Sequence, residues 1–208
     1  MKKIELYEDG IGAVELIDHM GTDLTIVNSA RVSFGKEKNE IDEKDEKLIK
    51  YLVKHRHTST FEHNVATFRF VVPLFIRSQH HRHRTWSYNE ISRRYTDVDL
   101  RFYEPKNGVH GGQTTSYLVK KHHLESLKLF NTLLSAGVCR EQARGVLPQN
   151  LYTEYYGTCN LSNLLKFVDL RIHEGAQWEI QKVAEALLEL TTDLWPTAVN
   201  AYRESKNK

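Results

Sequence analysis

Cysteine is nearly missing from this chain: Cys139 and Cys159 are the only two in 208 residues. They form no C-x-x-C pair and cannot build a disulfide framework, which fits a reducing compartment. An excess of one charge is missing too, because 29 basic residues face 27 acidic ones for a formal net charge of +2. That balance excludes a global pull toward nucleic acid or anionic membrane, so any basic function has to be local. No apolar run reaches the ~20 residues that cross a bilayer. The opening Met1-Lys2-Lys3-Ile4-Glu5-Leu6 turns acidic within a few residues and lacks an apolar signal core. The expected location is the cytoplasm, or the host cytoplasm for a virus-encoded chain. There is no repeat, no low-complexity tract and no Pro/Gly/Ser-rich linker, so residues 1–208 read as one domain.

What is present is enough apolar material, 40% of residues, for a real core. Residues Leu24 to Phe34 look partly helical. Leu48, Ile49, Leu52 and Val53 recur at helical spacing, with Asp42 as a cap. Val65 to Val72 alternates in a β-branched and aromatic run that reads as a strand, ended by Pro73. From about Ser116 the chain turns helical, with Leu124, Leu127, Phe130 and Leu134 as a stripe and Gly137 as a stop. Asn160 or Ser162 can cap a helix carrying Leu161, Leu164, Leu165 and Val168. A last long helix starts near Ala176 and runs through Ile180, Val183, Ala184, Leu187 and Leu188; Pro196 kinks it or opens a new one. Early strands and a helical C-terminal half predict an α+β fold.

One segment does not fit these patterns. Arg77 to Tyr95, RSQHHRHRTWSYNEISRRY, would put polar side chains on every face of a helix. Ser87, Asn89 and Ser92 favour turns. The segment therefore reads as an ordered loop leaving the core after Val71–Ile76, a place where sites are built. Arginine donates two parallel hydrogen bonds to phosphate or carbonyl oxygens and keeps its charge. Arg82, Arg84, Arg93 and Arg94 so close together suggest a phosphorylated ligand, with Glu90 to orient one of them or to accept a hydrogen bond from a ligand N–H or ribose hydroxyl. The competing reading is a solvated charged loop. Trp86, Tyr88 and Tyr95 between arginines also suit stacking on RNA or single-stranded DNA, although the near-neutral charge and missing RNP-type motif oppose it. Histidines 55, 57 and 63, or 80, 81 and 83, contain metal-like i,i+2 pairs, but neighbouring arginines would repel a cation, and no metal is expected. Gly10-Ile11-Gly12 lacks the third glycine and preceding strand of a dinucleotide fingerprint.

Residues 82–95, RHRTWSYNEISRRY, match all nine fixed positions of RHRxxSxNExSxRY. In this the chain resembles the flavin-dependent thymidylate synthases. Ala30–Phe34, His57–His63, Ala143–Pro148 and Ala176–Ile180 are similar to the family as well, so the resemblance spans about residues 10–200. It implies the family's single-domain α+β fold and a homotetramer whose pockets draw on several subunits. It also implies reductive methylation of dUMP to dTMP, with FAD as cofactor and NADPH and methylene tetrahydrofolate as co-substrates. Carried onto this chain, the dUMP contacts are Gln79, His80, His81, Arg82, Glu90, Ile91, Ser92, Arg93, Arg94, Arg144 and Arg171. The flavin contacts are Ser33, Ser59, Arg82, His83, Arg84, Asn89, Glu90, Asn160, Ser162 and Lys166.

Arg171 also draws attention without the family. It lies three residues after Val168 and seven after Leu164, on the apolar stripe of its helix, where a charge needs a partner, a pocket or an outlet to solvent. The resemblance makes it the catalytic group that stabilises the uracil ring ionised at N3. Three positions depart from the pattern. Gly175 stands where many relatives place histidine, with His173 two residues earlier; Ser162 and Lys166 stand where some offer arginine and asparagine.

Overall fold

In the computed structural model, which describes residues 2–96, 99–105 and 113–206, the chain builds one five-stranded antiparallel sheet flanked by helices. The elements are, in order, β1 (Lys3–Glu5), β2 (Ala13–Met20), α1 (Asp23–Arg31), α2 (Glu43–Lys54), β3 (Val65–Pro73), α3 (Leu74–His80), β4 (Ser87–Glu90), α4 (Gln113–Ser135), α5 (Arg140–Ala143), β5 (Tyr152–Asn160), α6 (Leu161–Arg171), α7 (Trp178–Thr192) and α8 (Pro196–Lys206). Strand order is β1-β2-β3-β5-β4. No helix among the described residues is long and apolar enough to cross a membrane.

β3 follows its alternation. Ala66, Phe68, Phe70 and Val72 are buried, while the residues between them are only partly covered. β5 departs from expectation: no periodicity marks Tyr152–Asn160 as a strand, so helices do not own the whole C-terminal half. It pairs with β3 along its full length, from Val65 opposite Asn160 to Pro73 opposite Tyr152. Glycine is required at position 157 by close approach, because a β-carbon there would lie 2.9 Å from the Phe70 ring.

The helices mostly follow their periodicity. Asp42 caps α2, accepting from the amides of Lys44 and Asp45. Asn160 rather than Ser162 caps α6, accepting from the Asn163 amide at 2.9 Å. Pro196 opens a separate helix in its first turn, as its missing N–H permits. The amides that follow it, Thr197 and Ala198, donate to the buried Asp23 carboxylate at 2.7 and 3.1 Å. Leu24–Phe34 divides into α1 and a tight, exposed turn over Val32–Phe34.

The segment Arg77–Tyr95 corrects the expectation of a continuous loop. Its first residues complete α3, whose Ile76 and His80 both turn inward one helical turn apart. After a short turn, Ser87–Glu90 forms β4, hydrogen-bonded to β5 with Tyr88 opposite Gly157. The period was hidden because His80, counted as polar, is a fully buried core residue.

Candidate active site

The site is built on an aromatic floor. The His80 ring is wholly buried, 4.5 Å from the Trp86 ring, 4.7 Å from Phe167 and 4.8 Å from Phe70 between centroids. Its Nδ1 lies 2.8 Å from the Tyr155 hydroxyl. Burial drives its pKa well below the usual value, with neighbouring His83, His81 and Arg171 adding to the effect. The Tyr88 hydroxyl is 3.0 Å from the carbonyl oxygens of both His80 and His83, which pins the turn between α3 and β4. His81 stacks on Tyr88 at 4.1 Å. The side chain of His80, expected among the dUMP contacts, is buried in this chain, with its Nδ1 on Tyr155 and its Nε2 without a hydrogen-bond partner. Trp86 and Tyr88 are likewise committed inward, Trp86 with 5% exposure.

Above this floor stands Arg171, in the last turn of α6. Its Nε donates to His83 Nε2 and its Nη2 donates to the Gln79 carbonyl, each at 3.3 Å. Accepting at Nε2 requires a neutral His83 carrying its proton on Nδ1. Burial, then the Arg171 charge, pushes the His83 pKa down to about 4. Burial also lowers the pKa of Arg171, and the nearby Arg82 guanidinium lowers it further. Two guanidinium groups in one region favour an anion. The Gln79 amide donates to Gln177 Oε1 at 2.7 Å.

His83 supplies a pH test. Between its ordinary 6.5 and about 4, the unfolded chain takes up a proton that the folded chain refuses. Stability from this group therefore falls as pH drops through that window and is level below it. A His83→Gln variant is expected to show a shallower loss of Tm between pH 6.5 and 4, and an NMR titration should find the ring neutral above pH 5. A His83 ring that titrates near 6.5 would contradict the Arg171 hydrogen bond.

A second group forms around β4. Glu90 accepts from the Thr153 hydroxyl at 2.6 Å and lies 3.2 Å from Arg77 Nε. Beyond it, the Ile91 amide donates to the Glu154 carbonyl. The backbone N–H and Nε of Arg94 both donate to Ser92 Oγ at 3.3 Å, and its guanidinium covers the Tyr95 ring. Glu141 draws two of the expected dUMP contacts together, with Arg94 Nη1 3.6 Å from its carboxylate and Arg144 Nε donating to its carbonyl at 3.3 Å. Arg82, Arg84 and Asn89 are exposed, and Arg93 Nη2 reaches the Tyr152 carbonyl at 3.4 Å.

The remaining expected contacts are dispersed within one chain. Ser33 is exposed in the turn after α1, and Ser59 in the turn Thr58–Phe61. Ser162 and Lys166 lie one turn apart on α6 and line a groove with α2 and α8. At about 100° per residue, Ser162 is on the opposite face of α6 from Arg171. At the departure Gly175, the amide donates to His173 Nδ1 at 3.0 Å, and a β-carbon on residue 175 would meet that ring at 3.2 Å. The His173 ring thus leans over the place a residue-175 side chain would leave from.

Comparison with known proteins decides the lineage. A family model described as "Thymidylate synthase complementing protein" matches residues 15–197. A flavin-dependent thymidylate synthase of Thermotoga neapolitana is 44% identical over 197 residues, covering 92% of this chain and 90% of that one. The chain belongs to the flavin-dependent thymidylate synthases. A second such synthase, from Thermus thermophilus, is 42% identical over 206 residues, covering 93% of this chain and 76% of its own length. A UMP/dUMP methylase, PolB from Streptomyces cacaoi bound with 5-Br dUMP, superposes with a TM-score of 0.85 at 36% identity, covering 97% of each chain.

Within this site, the sequence points to the groups that face outward but not to those that hold them. Thr153 behind Glu90, Glu141 between Arg94 and Arg144, and Gln177 against Gln79 were all overlooked. Glu141 and Gln177 carried a signal, since each lies in or beside a segment similar to the family.

Proposed function

We propose that this chain reductively methylates dUMP to dTMP, with methylene tetrahydrofolate as carbon donor and NADPH-reduced FAD as hydride source. The observation that carries the reading is Arg171, aimed by neutral His83 and the Gln79 carbonyl into a region that already holds Arg82. Such a paired cation site favours a pyrimidine ionised at N3 over the neutral ring, and so raises the electron density at the carbon that accepts the one-carbon unit. Arg94, Arg144, Ser92 and Glu90 take the 5′-phosphate and sugar in this reading, with Gln79, Ile91, Arg93 and backbone of His80 and His81 shaping the pocket. His83, Arg84, Asn89, Ser33, Ser59, Asn160, Ser162 and Lys166 serve the flavin. Exposed arginines and a buried, unpartnered Ser162 hydroxyl suit a phosphate-bearing cofactor.

When bound, the flavin supplies a hydride and methylene tetrahydrofolate the carbon; the chain binds, orients and polarises. No protein nucleophile is needed. Cys159 is buried among apolar neighbours, which pushes its thiol pKa well up, and Ser92 is engaged by Arg94 rather than by a base. Residues 1–208 act as one domain in a cytoplasmic homotetramer, of the host cell for a viral gene, with pockets completed by neighbouring subunits. That assembly accounts for the flavin residues Ser162 and Lys166 lying on the face of α6 opposite the dUMP residue Arg171. The test is a visible spectrum of protein with FAD, then anaerobic NADPH, with and without dUMP, followed by assay for dTMP. A yellow complex that bleaches with NADPH and forms dTMP supports the reading. Failure to bind flavin under any of these conditions removes it.

Nucleic-acid binding, the rival from the aromatic–arginine interleaving, loses two of its three stacking platforms, since Trp86 is buried and the Tyr88 hydroxyl is tied to the backbone, leaving Tyr95 exposed under the Arg94 guanidinium.

A further inference from the structure

Glu90 ends β4 with its two carboxylate oxygens in different surroundings. Its ladder partner is Tyr155, and the Ile91 amide carries the ladder one residue further to the Glu154 carbonyl. Thr153, two residues before Tyr155 on β5, lies diagonally across from Glu90 on the same face of the sheet. From there the buried Thr153 hydroxyl donates to Glu90 Oε1 at 2.6 Å. Arg77, in the last turn of α3, brings its Nε to 3.2 Å from the same oxygen. A strand and a helix thus converge on Oε1. Among the described residues, no hydrogen bond or ion pair reaches Oε2.

An ionised carboxylate is acceptor-only, and a free one can present either oxygen to a ligand. Two donors on Oε1 remove that freedom and leave one acceptor open before anything binds. Ordering it in advance spares the complex that entropic cost. The side chain keeps 24% exposure, enough for a ligand to reach it. Two and four residues further on stand Ser92 and Arg94, joined through Ser92 Oγ. A held acceptor beside a cation suits a sugar hydroxyl close to a phosphate.

We infer that Thr153 and Arg77 are positioning residues that set the sugar selectivity of the site: by holding Glu90 Oε1 they commit Oε2 to accept a hydrogen bond from the 3′-hydroxyl of the nucleotide. The inference rests on the proposed binding of dUMP and on the place of Glu90 in that pocket. It adds the two residues behind the carboxylate and the one hydroxyl that the carboxylate reads. Neither residue touches the nucleotide; both act through Glu90.

The test sets dUMP against its 2′,3′-dideoxy analogue, which lacks that hydroxyl, by calorimetry on the protein supplied with FAD. Wild type should prefer dUMP by about tenfold or more, the size of one hydrogen bond to a charged group. Thr153→Val keeps the β-branched shape and loses the donor. It should bind dUMP about tenfold more weakly and the dideoxy analogue as before, and Thr153→Ser should restore the preference. Arg77→Met, which keeps an apolar stem, should narrow the same preference and serves if Thr153→Val does not fold. In turnover the KM for dUMP should rise with kcat retained, since the hydroxyl is not the reacting centre. A merely structural role would weaken both ligands alike. Equal weakening, an unchanged preference in both Thr153→Val and Arg77→Met, or no preference in wild type overturns the inference. Selective dUMP binding by a protein that forms no dTMP would keep the positioning role and lose the proposed activity; dTMP formation with an unchanged preference in both variants would do the reverse.

Discussion

Arg171→Ala is expected to leave a folded, flavin-binding protein whose thymidylate formation falls by about 10²–10³-fold, the usual loss when a preorganised electrostatic donor is removed. The side chain is only half-buried and makes two hydrogen bonds of 3.3 Å, so its removal opens no core cavity. The loss should appear in kcat at saturating dUMP, because the charge matters most as the ring ionises. Arg171→Lys should recover little, since an ammonium cannot address His83 and the Gln79 carbonyl in the geometry of the planar fork. Steady-state rates of dTMP formation for the two variants make the check. Normal turnover by the alanine variant would remove Arg171 from the mechanism.

A comparable effect on stability is expected at Trp86, inside the signature itself. The ring is buried against Phe68, Phe70, His80 and Phe167, and its edge would lie 3.4 Å from a β-carbon on residue 157, the space left open by Gly157. Trp86→Ala empties that notch. Replacing a large buried aromatic in this way costs about 3–5 kcal/mol, which for a chain of this size lowers Tm on the order of 10 °C. Calorimetry reads the loss directly. Titration with dUMP should show weakened binding as well, because the turn between α3 and β4 rests on the same floor. A variant that melts with wild type would mean that Trp86 is not the anchor of that turn.

These two residues show what was legible in the sequence. Arg82, Glu90, Arg94 and their spacing could be read because so many polar groups at fixed intervals serve no core and no turn, which leaves a ligand to account for them. α2, β3, α6 and α7 could be read because their burial follows one period from end to end. β5 could not, since Tyr, Thr, Glu, Gly, Cys and Asn carry no aliphatic alternation; it is a strand because β3 needs a partner along its whole length. His80 misled for a related reason. Its burial depends on the Tyr155 hydroxyl, which comes from β5. The supports of the site were invisible because each crosses a long stretch of chain: Thr153 to Glu90 spans 63 residues and Gln79 to Gln177 spans 98. Which face of α6 each side chain uses follows from helix geometry, but that Ser162 and Lys166 face α2 and α8 required the packing itself.

The pairing of β3 with β5 also governs when the site can exist during folding. Arg69 and its β5 partner Glu154 are 85 residues apart, and α3, the signature turn and β4 all lie in the intervening chain. β4 has β5 as its one neighbour in the sheet among the described residues. Closing so large a loop is entropically slow, and until it closes the strand bearing Glu90 has nothing to register against. In refolding from denaturant, helical circular dichroism should therefore return before the capacity to bind dUMP, making nucleotide binding a reporter of the last step of assembly.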